Sequence, residues 1–161
     1  MIIRDATKND LDAVFAINQA NVPHVGSVDI NWFQTYLPLA QYFRVIEVDN
    51  EVVGFMVAML PSTDYKSENF LWFKKQYGSF IYVDRIAIQS THIGKGYGKS
   101  LYEDLALQYK DKVDMITCEV NTRPANPDSL AFHKRLGFDA VGTLITKGGT
   151  IEVSLLRKSI V

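Results

Sequence analysis

Residues 86–107 read IAIQSTHIGKGYGKSLYEDLAL, and they contain the strongest structural signal in the chain. An apolar stretch, predicted as a strand over Phe80–Ile88, runs into a loop that carries Gly94, Gly96 and Gly98. A helix is predicted to follow at once, over Tyr97–Tyr109, because its apolar residues recur at helical spacing on one face. The pattern therefore predicts a strand, a glycine loop and a helix in direct succession.

This glycine loop has the features of an anion-binding site. Glycines let successive backbone N–H groups turn toward one point without a Cβ in the way. The first N–H groups of a helix lack internal partners and carry the positive end of the helix dipole. Together they suit a phosphate or pyrophosphate, with Lys95 and Lys99 adding positive charge at the rim. The alternative is a loop that only makes a tight turn.

Two well-known phosphate motifs do not match the loop. A Walker A motif ending at Gly98-Lys99-Ser100 requires glycine at position 93, which is Ile93. The dinucleotide pattern G-x-G-x-x-G would need glycine at Lys99 or at Leu101. Both nucleotide-binding motifs are excluded, which discounts a nucleotide-binding domain of another family.

Two segments resemble the GNAT acetyltransferase superfamily. Ile93–Gly98 is similar to its acetyl-CoA loop, Q/R-x-x-G-x-G/A, with matching glycines and a different first residue. Asn126–Phe138, NPDSLAFHKRLGF, resembles the pattern N-x-x-[SA]-x-x-[FL]-Y-x-x-x-G-F. The order of the predicted elements is also that of the family, so the resemblance covers nearly the whole chain. Asn21–Asp29 and Pro61–Ser79 are the parts that it describes least well.

The resemblance implies one α/β domain over residues 1–161. Its central sheet would be mixed and mostly antiparallel, splayed between two parallel strands, Phe80–Ile88 and Val113–Val120, with helices on both faces. The remaining strands are predicted at Met1–Asp5, Phe43–Val48, Val52–Leu60, Phe138–Thr146 and Thr150–Leu156. Helices are predicted from Thr7 to about Asn21, from Asp29 to Pro38, and over Ser129–Leu136, with Asn69–Tyr77 a short helix or an irregular segment.

Composition narrows the class of protein further. The 161 residues carry a net charge of −1, and the basic residues are spread along the chain, which argues against a nucleic-acid surface. The single cysteine, Cys118, cannot form an internal disulfide, and His24 and His92 have no partner at metal-ligand spacing, so we expect no metal site. The N-terminus is unlike a signal peptide, and no apolar run reaches the length of a membrane span, so we expect a cytoplasmic protein without membrane contact.

The resemblance implies acetyl-CoA, or coenzyme A, as co-substrate. Its pantetheine arm would lie between the splayed strands and pair with main-chain groups near Ile86, Ala87 and Ile88. The adenosine end would lie toward the helix of Phe132 and His133, and Asn126 would hydrogen-bond the arm. The other residues expected to bind the cofactor are Ile93, Gly94, Lys95, Gly96, Tyr97, Gly98, Lys99 and Ser129.

Transfer of an acetyl group to an amine requires a base, because a lysine-like ammonium has a pKa near 10.4. Asp84 lies inside an apolar strand, where a charge is costly without a task or a partner. Glu119 lies at the end of the next predicted strand, where some relatives carry their base. Asp84 is the favoured base. Its alternative role is an ion pair with Arg4, Arg85 or Arg123, and that of Glu119 is a surface carboxylate.

His133 stands where the family commonly has a tyrosine acid. Its unperturbed pKa near 6.5 suits proton donation, although the residue could equally be a packing choice. Tyr82 is a second donor, since alternation along the strand places it on the same face as Asp84. Cys118 has no neighbour that would activate it as a nucleophile.

Acceptor specificity is expected from the first helices and from the loop before the central strand. The residues expected to contact the acceptor are Asn21, Tyr65, Asn69, Trp72, Phe73 and Asp84, unless the aromatic ones only pack on the core. The sequence thus predicts an N-acetyltransferase that acts by direct attack on acetyl-CoA. The acceptor would be a primary amine of a small molecule, an amino acid or a peptide. A non-catalytic acyl-CoA-binding module is the alternative, and a homodimer is possible.

Overall fold

The computed structural model describes all residues from Met1 to Val161. Seven strands form one sheet: β1 Ile2–Asp5, β2 Tyr42–Val48, β3 Glu51–Met59, β4 Phe80–Ile88, β5 Met115–Arg123, β6 Asp139–Thr146 and β7 Ile151–Ser159. Five α-helices flank it: α1 Leu11–Ala20, α2 Ile30–Tyr36, α3 Glu68–Gln76, α4 Tyr97–Tyr109 and α5 Pro127–Arg135.

The sheet has the order β1-β2-β3-β4-β5-β7-β6, and every neighbouring pair is antiparallel except β4 and β5. This confirms the predicted fold class, with its mostly antiparallel sheet and one parallel pair. The predicted bounds of β4 and α4 match the structure. β5 begins at Met115 rather than Val113, because the Val113 amide still bonds the Tyr109 carbonyl oxygen at the end of α4.

Each face of the sheet carries its own hydrophobic core. Helices α1, α2 and α3 bury Val14, Phe33 and Phe70 against one face, which we call the α1–α3 face. Helices α4 and α5 pack on the opposite face, the α4–α5 face, where Leu101 and Leu105 are fully buried. Helices therefore lie on both faces, as the sequence predicts.

A β-bulge in β4 changes which side chains reach each face. Val83 pairs with Ala58 and Arg85 pairs with Val57, so Asp84 is the extra residue. Before the bulge, Tyr82 packs in the core of the α1–α3 face. After it the alternation is reversed: Ala87 joins that core, while Ile86 packs against the opposite one. The bulge lets the neighbouring side chains of Asp84 and Arg85 meet.

The segment between β3 and β4 contains the helix α3, where the sequence predicts either a short helix or an irregular segment. In α3, Phe70 and Phe73 are fully buried and lie three residues apart, so they share one helix face. That face packs on β4 through contacts with Phe80 and Tyr82. The packing holds the first turn of α3 over the centre of the sheet.

Candidate active site

The two parallel strands separate partway along their length. β4 and β5 pair only at Phe80 with Met115, Ile81 with Ile116 and Tyr82 with Thr117. Both strands continue for six more residues, to Ile88 and to Arg123, without pairing with each other. A gap therefore opens in the middle of the sheet, and its edges carry main-chain groups that no strand uses.

Alternation of main-chain groups decides which residues of β4 face this gap. The Gln89 amide donates to the Val53 carbonyl oxygen, so that pair is hydrogen-bonded toward β3. In an antiparallel ladder such pairs alternate, so Ala87 also faces β3, while Ile86 and Ile88 turn their amide and carbonyl groups toward the gap. Of the three residues expected to pair with pantetheine, Ile86 and Ile88 have the suitable orientation.

The glycine loop is preshaped as a cradle of N–H groups. Gly94 and Gly96 have φ values of 84° and 82°, which place both in the left-handed region that favours glycine. The amides of Gly94, Lys95 and Gly96 donate to no acceptor in the protein, and Gly96 is the N-cap of α4. These donors, with the first-turn amides of α4, fit the phosphates of a CoA-like ligand.

The side chains around this loop leave it open. Ile93 is 65% exposed, so its side chain fills no core space and leaves the cradle to the backbone. Lys95 and Lys99 are exposed, with Lys99 within 3.7 Å of Glu103, and Tyr97 is half-buried and stacks on His92. Both lysine side chains are therefore free to approach a ligand at the rim of the loop.

Helix α5 packs directly against the start of α4. A Cβ at Gly98 would lie 3.1 Å from Cζ of Phe132, so glycine here allows the two helices to approach closely. Asn126 is the N-cap residue of α5, and both it and Ser129 are half-buried at the start of that helix. The residues predicted to bind the cofactor thus border one continuous region, from the glycine loop to the N-terminus of α5.

Glu119 extends from β5 on the α1–α3 face, just past the point where the strands separate. The Tyr82 hydroxyl lies 2.8 Å from both of its carboxylate oxygens, and Asn69 Nδ2 donates to Oε1 at 3.0 Å. The residue is half-buried. Three elements, β4, β5 and α3, therefore meet at this one carboxyl group.

The surroundings of Glu119 change its acidity. Burial of the carboxylate, reinforced by the nearby charge of Asp84, raises the pKa of Glu119 to about 8, against the opposing effect of the two hydrogen-bond donors. Burial and Glu119 also raise the pKa of Tyr82 well above its usual range, so its hydroxyl remains a donor. A carboxyl group with a pKa near neutrality suits proton transfer.

Asp84 has the opposite environment, although it lies close by. Arg85 Nε donates to its Oδ2 at 2.8 Å, and the Tyr65 hydroxyl donates to Oδ1 at 2.6 Å. The side chains of Asp84 and Arg85 are only 5% and 7% exposed. The ion pair with Arg85, one of the alternatives left open by the sequence, is present, and both carboxylate oxygens already have partners.

Arg85 is itself held from several directions. One guanidinium nitrogen donates to Asn18 Oδ1 at 3.0 Å and to the Gly26 carbonyl oxygen at 3.1 Å. Its guanidinium carbon lies 4.1 Å from the centroid of the Trp32 ring, a cation–π contact. Asp84 and Arg85 together join β4 to α1 and α2, which is a structural role.

His133 is buried between α4 and α5, and both of its ring nitrogens are occupied. Nδ1 lies 2.7 Å from the Ser129 carbonyl oxygen, which can only accept, so Nδ1 carries the proton. Nε2 then accepts from the Tyr102 hydroxyl at 2.8 Å. Burial lowers the pKa of His133, and the neutral ring has no proton to give through Nε2. We therefore leave His133 out of the proposed catalytic groups. Cys118 is buried as well, and there burial has the opposite effect, because it raises the pKa of the thiol.

A loop that connects α1 to α2 bridges the gap on the α1–α3 face. Asn21 Nδ2 lies 3.4 Å from the Ile88 carbonyl oxygen on β4, and Asn121 Nδ2 on β5 donates to the Pro23 carbonyl oxygen at 3.0 Å. Asn21 is one of the residues that the sequence predicts to contact the acceptor. Sequence reasoning missed Asn121, because an asparagine late in a strand gives no sign of its partner.

The aromatic residues of the α3 segment fall into two groups. Tyr65 reaches the site through Asp84. Trp72 instead packs on β6, where a Cβ at Gly142 would lie 3.0 Å from its ring, and Phe73 is fully buried against Phe80 and Tyr82. We therefore leave Trp72 and Phe73, both expected to contact the acceptor, out of the proposed site, since helix packing turns them toward the core or the neighbouring strand.

Neither a cluster of metal-binding side chains nor a membrane-spanning helix is found in the fold. No group of three or more histidine, cysteine, aspartate or glutamate side chains is close enough together to hold a metal ion. The longest helix, α4, has 13 residues, and no helix combines the length and apolar character needed to cross a membrane.

The acetyltransferase (GNAT) family model matches residues 11–138, which is most of the chain. The protein therefore belongs to the GNAT acetyltransferase family, as the two sequence motifs predict. No curated protein matches the chain significantly.

Solved structures show the same fold over the whole length. The ribosomal-protein-alanine N-acetyltransferase from Brucella melitensis is 25% identical, with 99% of each chain covered and a TM-score of 0.72. Ard1 from Thermoplasma volcanium is 18% identical, with 99% of this chain and 97% of that chain covered and a TM-score of 0.79. The structure of yncA from Salmonella typhimurium, solved with its cofactor acetyl-CoA, is 19% identical, with 100% of this chain and 94% of that chain covered and a TM-score of 0.72. Family membership supports an acyltransferase, and the solved structures show that the chain shares the fold of these neighbours over its whole length.

Proposed function

We propose that the protein transfers an acetyl group from acetyl-CoA to a primary amine, with Glu119 as the general base. The observation that carries the proposal is the position of Glu119. It lies just past the point where β4 and β5 separate, half-buried, with a pKa raised to about 8. Acetyl-CoA supplies the thioester whose acyl group is transferred.

The chain's own groups divide the binding of this co-substrate. The N–H groups of the Gly94–Gly96 cradle and the first turn of α4 would hold the pyrophosphate. The main-chain groups of Ile86 and Ile88 would pair with the pantetheine arm inside the gap. Asn126, Ser129 and Phe132 border the region where the adenosine end would lie.

Glu119 would prepare the acceptor for attack. Its carboxylate takes one proton from the acceptor's ammonium group, which leaves a neutral amine with a free nitrogen lone pair. The amine nitrogen then forms the new bond to the acyl carbon as the C–S bond of the thioester breaks, and a second proton from the nitrogen passes to the sulfur, so that coenzyme A leaves as the thiol. Asp84, which the sequence favoured as base, would instead hold Arg85 and the strand in place, because both of its oxygens are already bonded.

The pKa of Glu119 bears on the kind of amine. Transfer of a proton from an α-amino group, with a pKa near 7.7–8.0, to a carboxylate with a pKa of about 8 is nearly balanced. Transfer of a proton from a lysine-like ammonium is unfavourable, because its pKa, near 10.4, lies about two pKa units above that of the Glu119 carboxyl group. Removal of the proton is therefore easier from an α-amine, of an amino acid or a peptide, than from an alkylamine.

The test compares two acid-to-amide variants in a thiol-release assay with acetyl-CoA and a panel of amines. Glu119→Gln should lower turnover about 100-fold or more at pH 8, while the affinity for acetyl-CoA is kept and the thermal midpoint does not fall. Asp84→Asn should instead lower the thermal midpoint, because removal of one partner of a buried ion pair leaves Arg85 uncompensated.

Several results would contradict the proposal. Full turnover by Glu119→Gln would exclude it as the base. Thermal stabilisation of the wild type by ATP but not by coenzyme A would exclude acetyl-CoA as co-substrate. Binding of acetyl-CoA without turnover on any amine of the panel would favour the non-catalytic acyl-CoA-binding module. A homodimer and a cytoplasmic location stay predictions of the sequence.

A further inference from the structure

The two oxygens of Glu119 have unequal sets of partners. Oε1 accepts from Asn69 Nδ2 at 3.0 Å and lies 2.8 Å from the Tyr82 hydroxyl. Oε2 has only the Tyr82 hydroxyl, also at 2.8 Å. A phenol has one proton, so this donor is shared between the two oxygens. Oε2 is therefore the oxygen with lone pairs still free.

We propose that Asn69 is a positioning residue, which ties Oε1 of Glu119 in place so that Oε2 receives the proton of the acceptor amine. This inference rests on the proposed role of Glu119 as the base. When Oε2 takes the proton, the carboxyl becomes neutral and Oε1 becomes its carbonyl oxygen. Oε1 still accepts from both Asn69 and Tyr82, so no donor loses its partner and no side chain has to rotate.

The location of Asn69 strengthens the argument. It is the second residue of α3, and the packing of that helix on β4 holds its side-chain amide at the Glu119 carboxylate. The hydrogen bond from Asn69 favours the ionised form and opposes the effect of burial on the pKa of Glu119. Arg85, on the neighbouring strand, has the same effect through its charge, whereas Asp84 has the opposite one.

The cost of this arrangement also indicates a task. Asn69 Oδ1 is buried and has no hydrogen-bond partner in the protein. Leaving such an acceptor unpaired lowers the stability of the folded protein. An asparagine that served packing alone could be replaced by an apolar residue of similar size without loss of stability. Loss of activity together with retained stability would therefore point to a role through Glu119.

The test uses two substitutions that separate electrostatics from packing. Asn69→Asp has nearly the same shape but replaces the donor with a second carboxylate, while Asn69→Leu fills the space without charge. The measurement is kcat/KM for the best amine from pH 6 to pH 10 at saturating acetyl-CoA. We expect the acid limb, near pH 8 in the wild type, to move up by about one unit in Asn69→Leu and further in Asn69→Asp.

At pH 7 this shift lowers kcat/KM about tenfold in Asn69→Leu and more in Asn69→Asp, with recovery as the pH rises. The KM for acetyl-CoA should stay unchanged in both. Gln76→Ala, at the exposed end of the same helix, is the control and should behave like the wild type. An acid limb that is unchanged in both variants overturns the inference. A larger shift in Asn69→Leu than in Asn69→Asp overturns it too, because that order is expected if Asn69 only packs.

The inference can be tested even if the enzyme assay shows no turnover. The pH at which the Glu119 carboxyl takes up its proton can be read by carbon NMR on the labelled protein without any amine. Absence of turnover in the wild type would end the proposed function. Even then, the pH midpoint of the Glu119 titration should be lowest in the wild type, higher in Asn69→Leu and highest in Asn69→Asp. The same midpoint in all three proteins overturns the positioning role of Asn69.

Discussion

Glu119 and Asp84 show how the partners of a carboxyl group decide its chemistry. Asp84 has a guanidinium and a phenol on its two oxygens, and its side chain is only 5% exposed. Glu119 has two neutral donors and no cation at hydrogen-bond distance, so burial dominates its pKa. One carboxyl group is suited to holding the fold together, and the other is suited to exchanging a proton.

Glu119 should make the stability of the protein depend on pH. Its pKa is about 8 in the folded protein against 4.5 in its ordinary state, so the folded state binds more protons between these values. The contribution to the free energy of unfolding is fully present below pH 4.5 and is lost as the pH rises through 8. Between pH 5 and pH 9 the free energy of unfolding of the wild type should fall by roughly 2–4 kcal/mol relative to that of Glu119→Gln.

Denaturant unfolding of both proteins at several pH values measures this difference. All other titrating groups are shared, so their effects cancel in the comparison. A constant difference across the range would mean that Glu119 titrates as an ordinary, solvated carboxyl group.

At the scale of single elements, the glycine loop was the most predictable feature. Its left-handed residues, Gly94 and Gly96, and the start of α4 at Tyr97 follow from neighbouring residues alone. The sequence also predicts the helix α5, but the close contact between its Phe132 and Gly98 of α4 is seen only in the tertiary structure. The same holds for His133, which the sequence predicts as a proton donor. Its ring nitrogen Nε2 lies 2.8 Å from the Tyr102 hydroxyl of α4, a contact that also depends on how the two helices pack.

Gly96→Ala tests the cradle directly. A left-handed alanine is strained by about 1–2 kcal/mol, so the loop should shift and weaken binding of coenzyme A about tenfold. Calorimetric titration with coenzyme A measures the change. Gly78→Ala is the matched control, since it has open space and no left-handed backbone, and it should bind normally. Equal affinity in Gly96→Ala and the wild type would contradict the role of the loop.

At the scale of the whole molecule, the gap between β4 and β5 divides the sheet into two halves that stay joined at only three residue pairs. Each half is antiparallel and complete, so the gap can stay open without a loss of strand pairing elsewhere. The loop between α1 and α2 spans the gap on one face through Asn21 and Asn121.

Hydrogen exchange can show how the gap is filled. Ile86 and Ile88 direct their amides into the gap, whereas Ala87 already pairs with Phe55 of β3. Saturating coenzyme A should slow exchange at Ile86 and Ile88 by tenfold or more, with a much smaller change at Ala87. Residue-resolved exchange by NMR makes the comparison within one sample. Equal protection of all three amides would exclude strand-like pairing of the ligand with β4.

The sequence by itself determined the elements of the sheet, the glycine cradle and the family, because each depends on residues that are close along the chain. Only the tertiary structure decided which acid is free to act. Asn69 and Tyr82 reach Glu119 from 50 and 37 residues away, and the bulge at Asp84 brings that residue and Arg85 together. Such pairings depend on how strands and helices pack in three dimensions, which spacing along a single chain does not specify.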